Sequence, residues 1–413
     1  MGVISTSITS LGIAVALACV GLFAAGETGC ASTTERARPS DATTTPPPPP
    51  SVPVTLSPVR SPRAPSGYPV PRKALRVSSS SQLENALADG RTETIVLSPG
   101  VYDAPRPFAD REGDRILASR LGRAVLRAGF VLGGNNGPPG ALIRGLTFSV
   151  RDPRKTLDGD VVHVWGSAAG ASVLDTRIDG HGMVDAGIVV HQPRGFVARR
   201  IVARRFLSYG VVVDPNDFNF RTRSPYSLRD LTISRVGRRV PGSSNGTAEA
   251  CLWLGSPGTV ERVRVRGCAI TGIWTGTAMK DSRIKDAIVD RSRVGIYIEH
   301  FTTRTVFERL RVGPSVTRGV NAEWASRALG GKPASVENVI QDAYFRTSHV
   351  GVYLDQGTTR TLVRHCVFAG QAWAAIGDYL GVENRYYGNN FDRIAAGAVS
   401  VSYDHDPAGS APN

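Results

Sequence analysis

Eight short segments of one pattern recur along the chain: Gly187-Ile-Val-Val-His191, Gly210-Val-Val-Val-Asp214, Cys251-Leu-Trp-Leu-Gly255, Gly272-Ile-Trp-Thr-Gly276, Gly295-Ile-Tyr-Ile-Glu299, Gly319-Val-Asn-Ala-Glu323, Gly351-Val-Tyr-Leu-Asp355 and Ala374-Ala-Ile-Gly-Asp378. Their starts lie 23, 41, 21, 23, 24, 32 and 23 residues apart. Most of these spacings fit one coil of a β-solenoid, in which a unit that cannot bury its apolar face alone stacks on its neighbours. Successive side chains of a strand point to opposite faces. The second and fourth places (Ile188/Val190, Val211/Val213, Leu252/Leu254, Ile296/Ile298 and their equivalents) therefore form a buried row, and the third and fifth places face outward. The third-place column reads Val189, Val212, Trp253, Trp274, Tyr297, Asn321, Tyr353, Ile376. The fifth reads His191, Asp214, Gly255, Gly276, Glu299, Glu323, Asp355, Asp378, so an exposed aromatic stripe is expected beside an acidic one.

A repeat array shares one continuous core, so 413 residues are read as a single folded domain rather than two. Gly 45 against Met 3 suits many tight turns and few long helices. Residues 1–30 hold an apolar run, Leu11 to Gly26, and read as a signal peptide or a lipoprotein or membrane anchor. The flank Met1 to Ser10 carries no Lys or Arg, and Cys19 and Cys30 only weakly resemble a lipidation box. Residues 31–73 are rich in Pro, Thr and Ser, with Pro46 to Pro50 in one run, and are expected to form a disordered, semi-rigid linker. The folded domain is placed at 74–403, with a disordered tail at 404–413. A spacer behind an export signal suggests secretion or tethering at the cell surface. Three cysteines follow the spacer, Cys251, Cys268 and Cys366, and an odd number argues against a disulfide-dense scaffold. They read as buried free thiols, a Cys251–Cys268 bridge being the alternative in an oxidising compartment.

Ser81-Gln-Leu-Glu-Asn-Ala-Leu-Ala-Asp-Gly90 followed by Thr94-Ile-Val-Leu-Ser-Pro-Gly-Val-Tyr102 resembles the start of the pectate-lyase-like right-handed parallel β-helix. The resemblance, with the repeats, spans roughly Leu75 to Val401. It implies an all-β, single-stranded right-handed parallel β-helix with a short N-terminal capping helix. A second strand family, which includes Leu228 to Ile233, Val260 to Val265 and Phe307 to Val312, is expected to give three sheets per coil. Arg262, Arg264, Arg266, Arg309 and Arg311 on it would form an outward basic stripe. Long spacings after Asp214 and Glu323 mark insertions flanking the acidic and aromatic columns, where binding loops usually sit.

Stacked coils lie about 4.8 Å apart, so Glu299 and Glu323 are expected side by side. Two carboxylates roughly 5–5.5 Å apart suit a retaining glycosidase, and a wider pair such as Glu299 with Asp355 suits an inverting one. Carboxylates this close repel, so one should keep its proton or a cation should bind; Ca2+ could be held by Glu299, Glu323, Asp355 and Asp378. The histidines show no metal-ligand spacing. Tyr297-Ile-Glu-His300 resembles the Trp-Ile-Asp-His segment of pectate lyases, which makes His300 an assisting group. The companion Arg-x-Pro-x-x-Arg motif is absent: Arg239-Val-Pro-Gly-Ser-Ser244 lacks its final Arg, and Arg223-Ser-Pro-Tyr-Ser-Leu-Arg229 is one residue too long. Tyr209-Gly-Val-Val-Val-Asp214-Pro-Asn216 resembles a segment of alginate C5-epimerases, but Asn216 stands in place of a histidine and cannot transfer a proton.

Trp253, Trp274, Tyr297 and Tyr353 form the expected sugar platform, with Asp214 and Asp378 beside it; outward aromatic runs usually mark binding surfaces. The formal charge is +14, of which +11 falls from residue 74 onward, and such a domain attracts polyanions. Nucleic acid would bind only nonspecifically. The reading that results is an exported β-helix acting on a polysaccharide, acidic by charge complementarity, most simply as a glycoside hydrolase with Glu299, Glu323 and Asp355 as acid and base groups. The alternatives are a noncatalytic glycan-binding or adhesin-like module, or a polysaccharide lyase or epimerase.

Overall fold

A computed structural model describes residues 71–110, 112–133, 140–166, 168–214, 225–237, 250–276, 279–299, 301–313, 316–322 and 335–404. Glu323 and His300 lie outside the described residues. The helix Ser80–Leu87 opens the folded part. The Ser79 hydroxyl caps it by accepting from the Gln82 amide, and Leu83, Ala86 and Leu87 are its buried residues. The first coil follows through Thr94–Leu97 and Gly100–Tyr102, and the buried Tyr102 hydroxyl donates to the Val77 and Ser98 carbonyls.

Among the described residues the strands form two long parallel sheets. One has 12 strands, running from Phe108–Asp110 to Val399–Ser402, each paired with the next coil. Seven of the eight sequence repeats lie on it in the expected register: Val189 pairs with Val212, Val212 with Trp253, Trp253 with Trp274, Trp274 with Tyr297, Tyr297 with Asn321, and Asn321 with Tyr353. The eighth is shifted by one residue, because Val352 pairs with Ile376 and Leu354 with Asp378. Ala375 rather than Ala374 therefore takes the place of the repeat glycine. Asp378 consequently leaves the acidic column. It accepts from Asn384 Nδ2 at 3.2 Å and from the Tyr386 hydroxyl.

The first-place glycines pack inward against the next coil. A Cβ on Gly319 would lie 2.3 Å from the Gly351 carbonyl oxygen, closer than any carbon can approach. Behind them a continuous core runs the length of the solenoid, with Phe345, Phe368 and Phe391 stacked at 5.3 and 5.5 Å between ring centres.

The second strand family forms one 22-stranded sheet rather than two separate ones. In each coil a single residue in the left-handed region turns the corner between its two rows: Asp175, Arg200, Asp230, Arg262, Asp286, Arg309, Asp342 and His365. Left-handed backbone is unfavourable for a side-chain-bearing residue. Here the column alternates in charge from coil to coil, and long side chains reach back across one coil. Arg262 donates to both Asp230 oxygens at 2.6 and 3.0 Å, and Arg309 to both Asp286 oxygens at 2.7 and 2.9 Å. Bidentate pairs of this kind fix geometry as well as charge. The expected basic stripe is thus corrected: Arg262 and Arg309 belong to an ion-pair ladder, and Arg266 lies 3.5 Å from Asp290.

The cysteine expectation is also corrected. Cys251 and Cys268 form a disulfide, their Cα atoms 5.6 Å apart. Cys251 occupies the inward first place of its repeat, and Cys268 ends the strand Gly258–Cys268 at the corner that the next coil turns, so the two meet inside one coil. Cys366 is free and buried, and burial pushes its thiol up to about 12.

Candidate active site on the twelve-stranded sheet

The outer face of the 12-stranded sheet carries the third- and fifth-place columns. Trp253 and Trp274 are half-buried there and stack coil on coil, their ring centres 6.0 Å apart, with Tyr209 below at 6.0 Å and Tyr297 above at 5.5 Å. Tyr297 and Tyr353 stand in the same column but are buried; Trp373 packs 6.0 Å from Tyr353, and the Arg318 guanidinium lies 5.5 Å over its ring. The accessible aromatic surface therefore narrows from four rings to two.

Glu299 follows directly. The strand Val294–Ile298 ends one residue before it, and the Trp274 indole donates to Glu299 Oε2 at 3.0 Å from the preceding coil. Burial pushes the Glu299 carboxyl up to about 7, and the indole hydrogen bond opposes part of that rise. Its side chain lies across Gly276, the fifth-place residue one coil earlier: a Cβ on Gly276 would sit 2.2 Å from Glu299 Oε2. Gly255 fills the same place one coil before that. Between Asp214 and Glu299 the fifth column thus carries no side chain of its own for two coils, and the Glu299 carboxylate occupies the space over Gly276 beside the two tryptophans.

Asp355 directly follows the strand Val350–Leu354, two coils beyond Glu299 and about 9.6 Å away by strand spacing. It is almost fully buried, and its Oδ1 accepts from the Gln356 amide at 2.7 Å. At the other end of the face, His191 Nδ1 stands 3.6 Å from Asp214 Oδ2.

Neither a protein-family model nor a curated protein sequence matches this chain. Solved structures do. The catalytic domain of a GH87 alpha-1,3-glucanase in complex with tetrasaccharides aligns with a TM-score of 0.51 at 12% identity, covering 80% of this chain and 71% of that one. PfbA, a surface adhesin of Streptococcus pneumoniae, aligns with a TM-score of 0.51 at 9% identity, covering 78% and 93%. The PL6 family alginate lyase AlyGC aligns with a TM-score of 0.54 at 14% identity, covering 82% of this chain but only 55% of the lyase. At these identities the likeness is one of fold. The chain has the right-handed parallel β-helix fold. The capping helix expected from the sequence is present, and seven of the eight repeats keep the expected register.

One group on the same face escaped the sequence reading. The strand Asp160–Val164 is an earlier coil of the sheet, with His163 in the third place next to Val189 and Trp165 in the fifth next to His191. Asp160 Oδ2 lies 2.9 Å from His163 Nδ1; burial raises the Asp160 carboxyl, and His163 pulls it partly back. The rings of His163, His191 and Trp165 pack at 4.6 to 5.5 Å between centres, and His163 Nε2 is buried without a hydrogen-bond partner among the described residues. The segment has the outward pattern of the later repeats but Val161 at the first place, so a search keyed on glycine passes over it. Among the described residues no three His, Cys, Asp or Glu side chains are arranged to hold a metal ion. Of the four acids expected around calcium, Asp378 turns away from the column, and Glu323 lies outside the described residues.

Gly276→Ala should act on the site through position alone. A methyl group there collides with Glu299, and a displacement of about 1 Å at a reacting group can lower turnover by up to about a hundredfold. We expect at least a tenfold fall in kcat on whichever glycan is turned over, with an unchanged melting midpoint. An unchanged kcat would mean that the placement of Glu299 over Gly276 is immaterial to the chemistry.

Proposed function

We propose that this β-helix is an extracytoplasmic protein that acts on a polysaccharide, hydrolysing a glycosidic bond with Glu299 as general acid and Asp355 as general base. The observation that carries this reading is Glu299 itself. It is a half-buried carboxyl pushed up to about 7, hydrogen-bonded by Trp274 and set beside the half-buried rings of Trp253 and Trp274. A carboxylic acid that keeps its proton near neutrality is what protonation of a leaving glycosidic oxygen requires. Asp355 would take a proton from water as the water oxygen bonds to the anomeric carbon and the C–O bond to the leaving sugar breaks. The two residues stand two coils apart, about 9.6 Å between strands, and inverting enzymes hold their carboxyl groups roughly 6.5–9.5 Å apart to admit that water. A sugar ring stacked on Trp253 and Trp274 would lie beside Glu299.

Placement outside the cytoplasm is supported by the Cys251–Cys268 bridge, by the apolar run Leu11 to Gly26 and by the Pro-rich spacer behind it. The net charge of +14 favours an acidic polymer. The α-1,3-glucanase neighbour supports hydrolysis, and the adhesin neighbour keeps a binding-only role as the second reading. The test is release of products by the purified protein from a panel of neutral and acidic polysaccharides. New reducing ends without ultraviolet absorbance from unsaturated uronates are expected. Both signals together would assign a lyase instead, and retention of glycan with no release across the panel would assign a binding module.

A further inference from the structure

The 22-stranded sheet presents a second surface, of opposite character, on its outer side. Arg177, Arg264 and Arg311 stand in one column, in register through Val202, Thr232 and Ile288. Arg346 follows on the next coil, two residues along from Tyr344, the partner of Arg311. Arg235 and Arg291, each in left-handed backbone and in register through Gly267, edge the same surface. All six arginines are exposed, and none pairs with a carboxylate among the described residues.

The contrast with the neighbouring corner is what gives this surface meaning. There the sign alternates from coil to coil, and each arginine finds an acid. Here the residues between the arginines are apolar or neutral, with Val202 43% exposed and Ile288 half-buried, so like charges stand unneutralised at two- and three-coil intervals of about 9.6 and 14.4 Å. Guanidinium groups bind carboxylates in a planar, bidentate fashion, and the apolar residues between them offer flat contact.

We propose that this surface binds a linear acidic glycan, laid along the solenoid axis with its carboxylates on Arg177, Arg264 and Arg311, as a second site separate from the Glu299 face. A straight column of cations spread over five coil intervals matches an extended polymer better than a compact ligand. Carboxylate-bearing glycan is favoured over nucleic acid because the Cys251–Cys268 bridge points to an oxidising compartment. The inference rests on that extracytoplasmic placement and not on catalysis.

The test compares the full-length protein with the Arg264→Ala/Arg311→Ala double variant and with Glu299→Gln, using polygalacturonate, a neutral glucan and single-stranded DNA as probes over a range of salt. Polygalacturonate binding is expected to weaken steeply with salt. In the double variant it should fall at least tenfold, with a log–log salt slope shallower by roughly 1 to 2, as loss of two ion contacts predicts. The melting midpoint and the release of product from small neutral oligosaccharides should stay unchanged. Glu299→Gln should bind polygalacturonate with the full salt slope, which separates failure of this proposal from failure of the hydrolase reading. Equal binding by the double variant, equal binding of neutral glucan, or tighter binding of DNA than of polygalacturonate at the same salt would each overturn it.

Discussion

Glu299→Gln is expected to abolish turnover and, above neutral pH, to make the protein more stable. The two effects have one cause. In the unfolded chain the carboxyl ionises near 4.5, whereas in the fold burial holds its proton up to about 7. Between those values the folded state keeps a proton that the unfolded state has released, so stability falls as pH rises. The favourable contribution is fully present below about 4.5 and gone above about 7, a span worth about 3 kcal/mol. Glutamine occupies nearly the same volume and can meet the Trp274 indole with its carbonyl oxygen, yet it does not titrate. The gap in unfolding free energy between variant and parent should therefore be small at pH 4.5, open through the window and level off above pH 7. Urea titrations at three pH values measure it. Removal of a general acid lowers the rate by roughly 10² to 10⁴. In the parent protein kcat/KM should decline above about pH 7 as Glu299 loses its proton. A variant retaining a tenth of the parent's rate would exclude Glu299 as the proton donor, whatever its effect on stability.

The register of this face was legible because it follows from a two-residue alternation repeated at a nearly constant interval, and seven segments share it. The eighth was misplaced because Ala374 and Ala375 are both small enough for the glycine place, and spacing alone favoured the wrong one. That slip put Asp378 in the wrong column, since a one-residue shift sends every side chain to the opposite face. Exposure was less legible than direction. Tyr353 points outward from the sheet as expected, yet Trp373 and Arg318, from neighbouring coils, bury it. The corner ladder could not be read from local sequence either, because Asp230 and Arg262 lie 32 residues apart and acquire meaning only when stacked. What the repeat did yield was the place of Glu299 at the end of its strand; what it could not yield was that the carboxyl lies over Gly276 and accepts from Trp274, both on the preceding coil.

Loss of the Cys251–Cys268 bridge is expected to destabilise the protein by about 3 kcal/mol. The bridge closes a short loop, with a sequence separation of 17, and its main effect is to limit the freedom of that loop in the unfolded chain. The choice of variant decides whether this is what is measured. Replacing Cys251 alone leaves Cys268 as a buried free thiol and adds a packing defect. The neighbouring coils supply better replacements. Cys251 stands where Gly210 and Gly272 stand, and Cys268 pairs with Val236. Cys251→Gly/Cys268→Val therefore restores the pattern of adjacent coils and removes little besides the crosslink. Its urea midpoint should match that of the parent protein under reducing conditions and fall below that of the oxidised parent, while Cys366, buried and with its thiol pushed up to about 12, should stay unreactive in the folded state throughout. Identical midpoints for oxidised and reduced parent would show that the bridge carries no stability. The strand Ala250–Leu254 includes Trp253, so any loosening of this coil should also weaken glycan retention, with the reduced parent and the double variant affected alike.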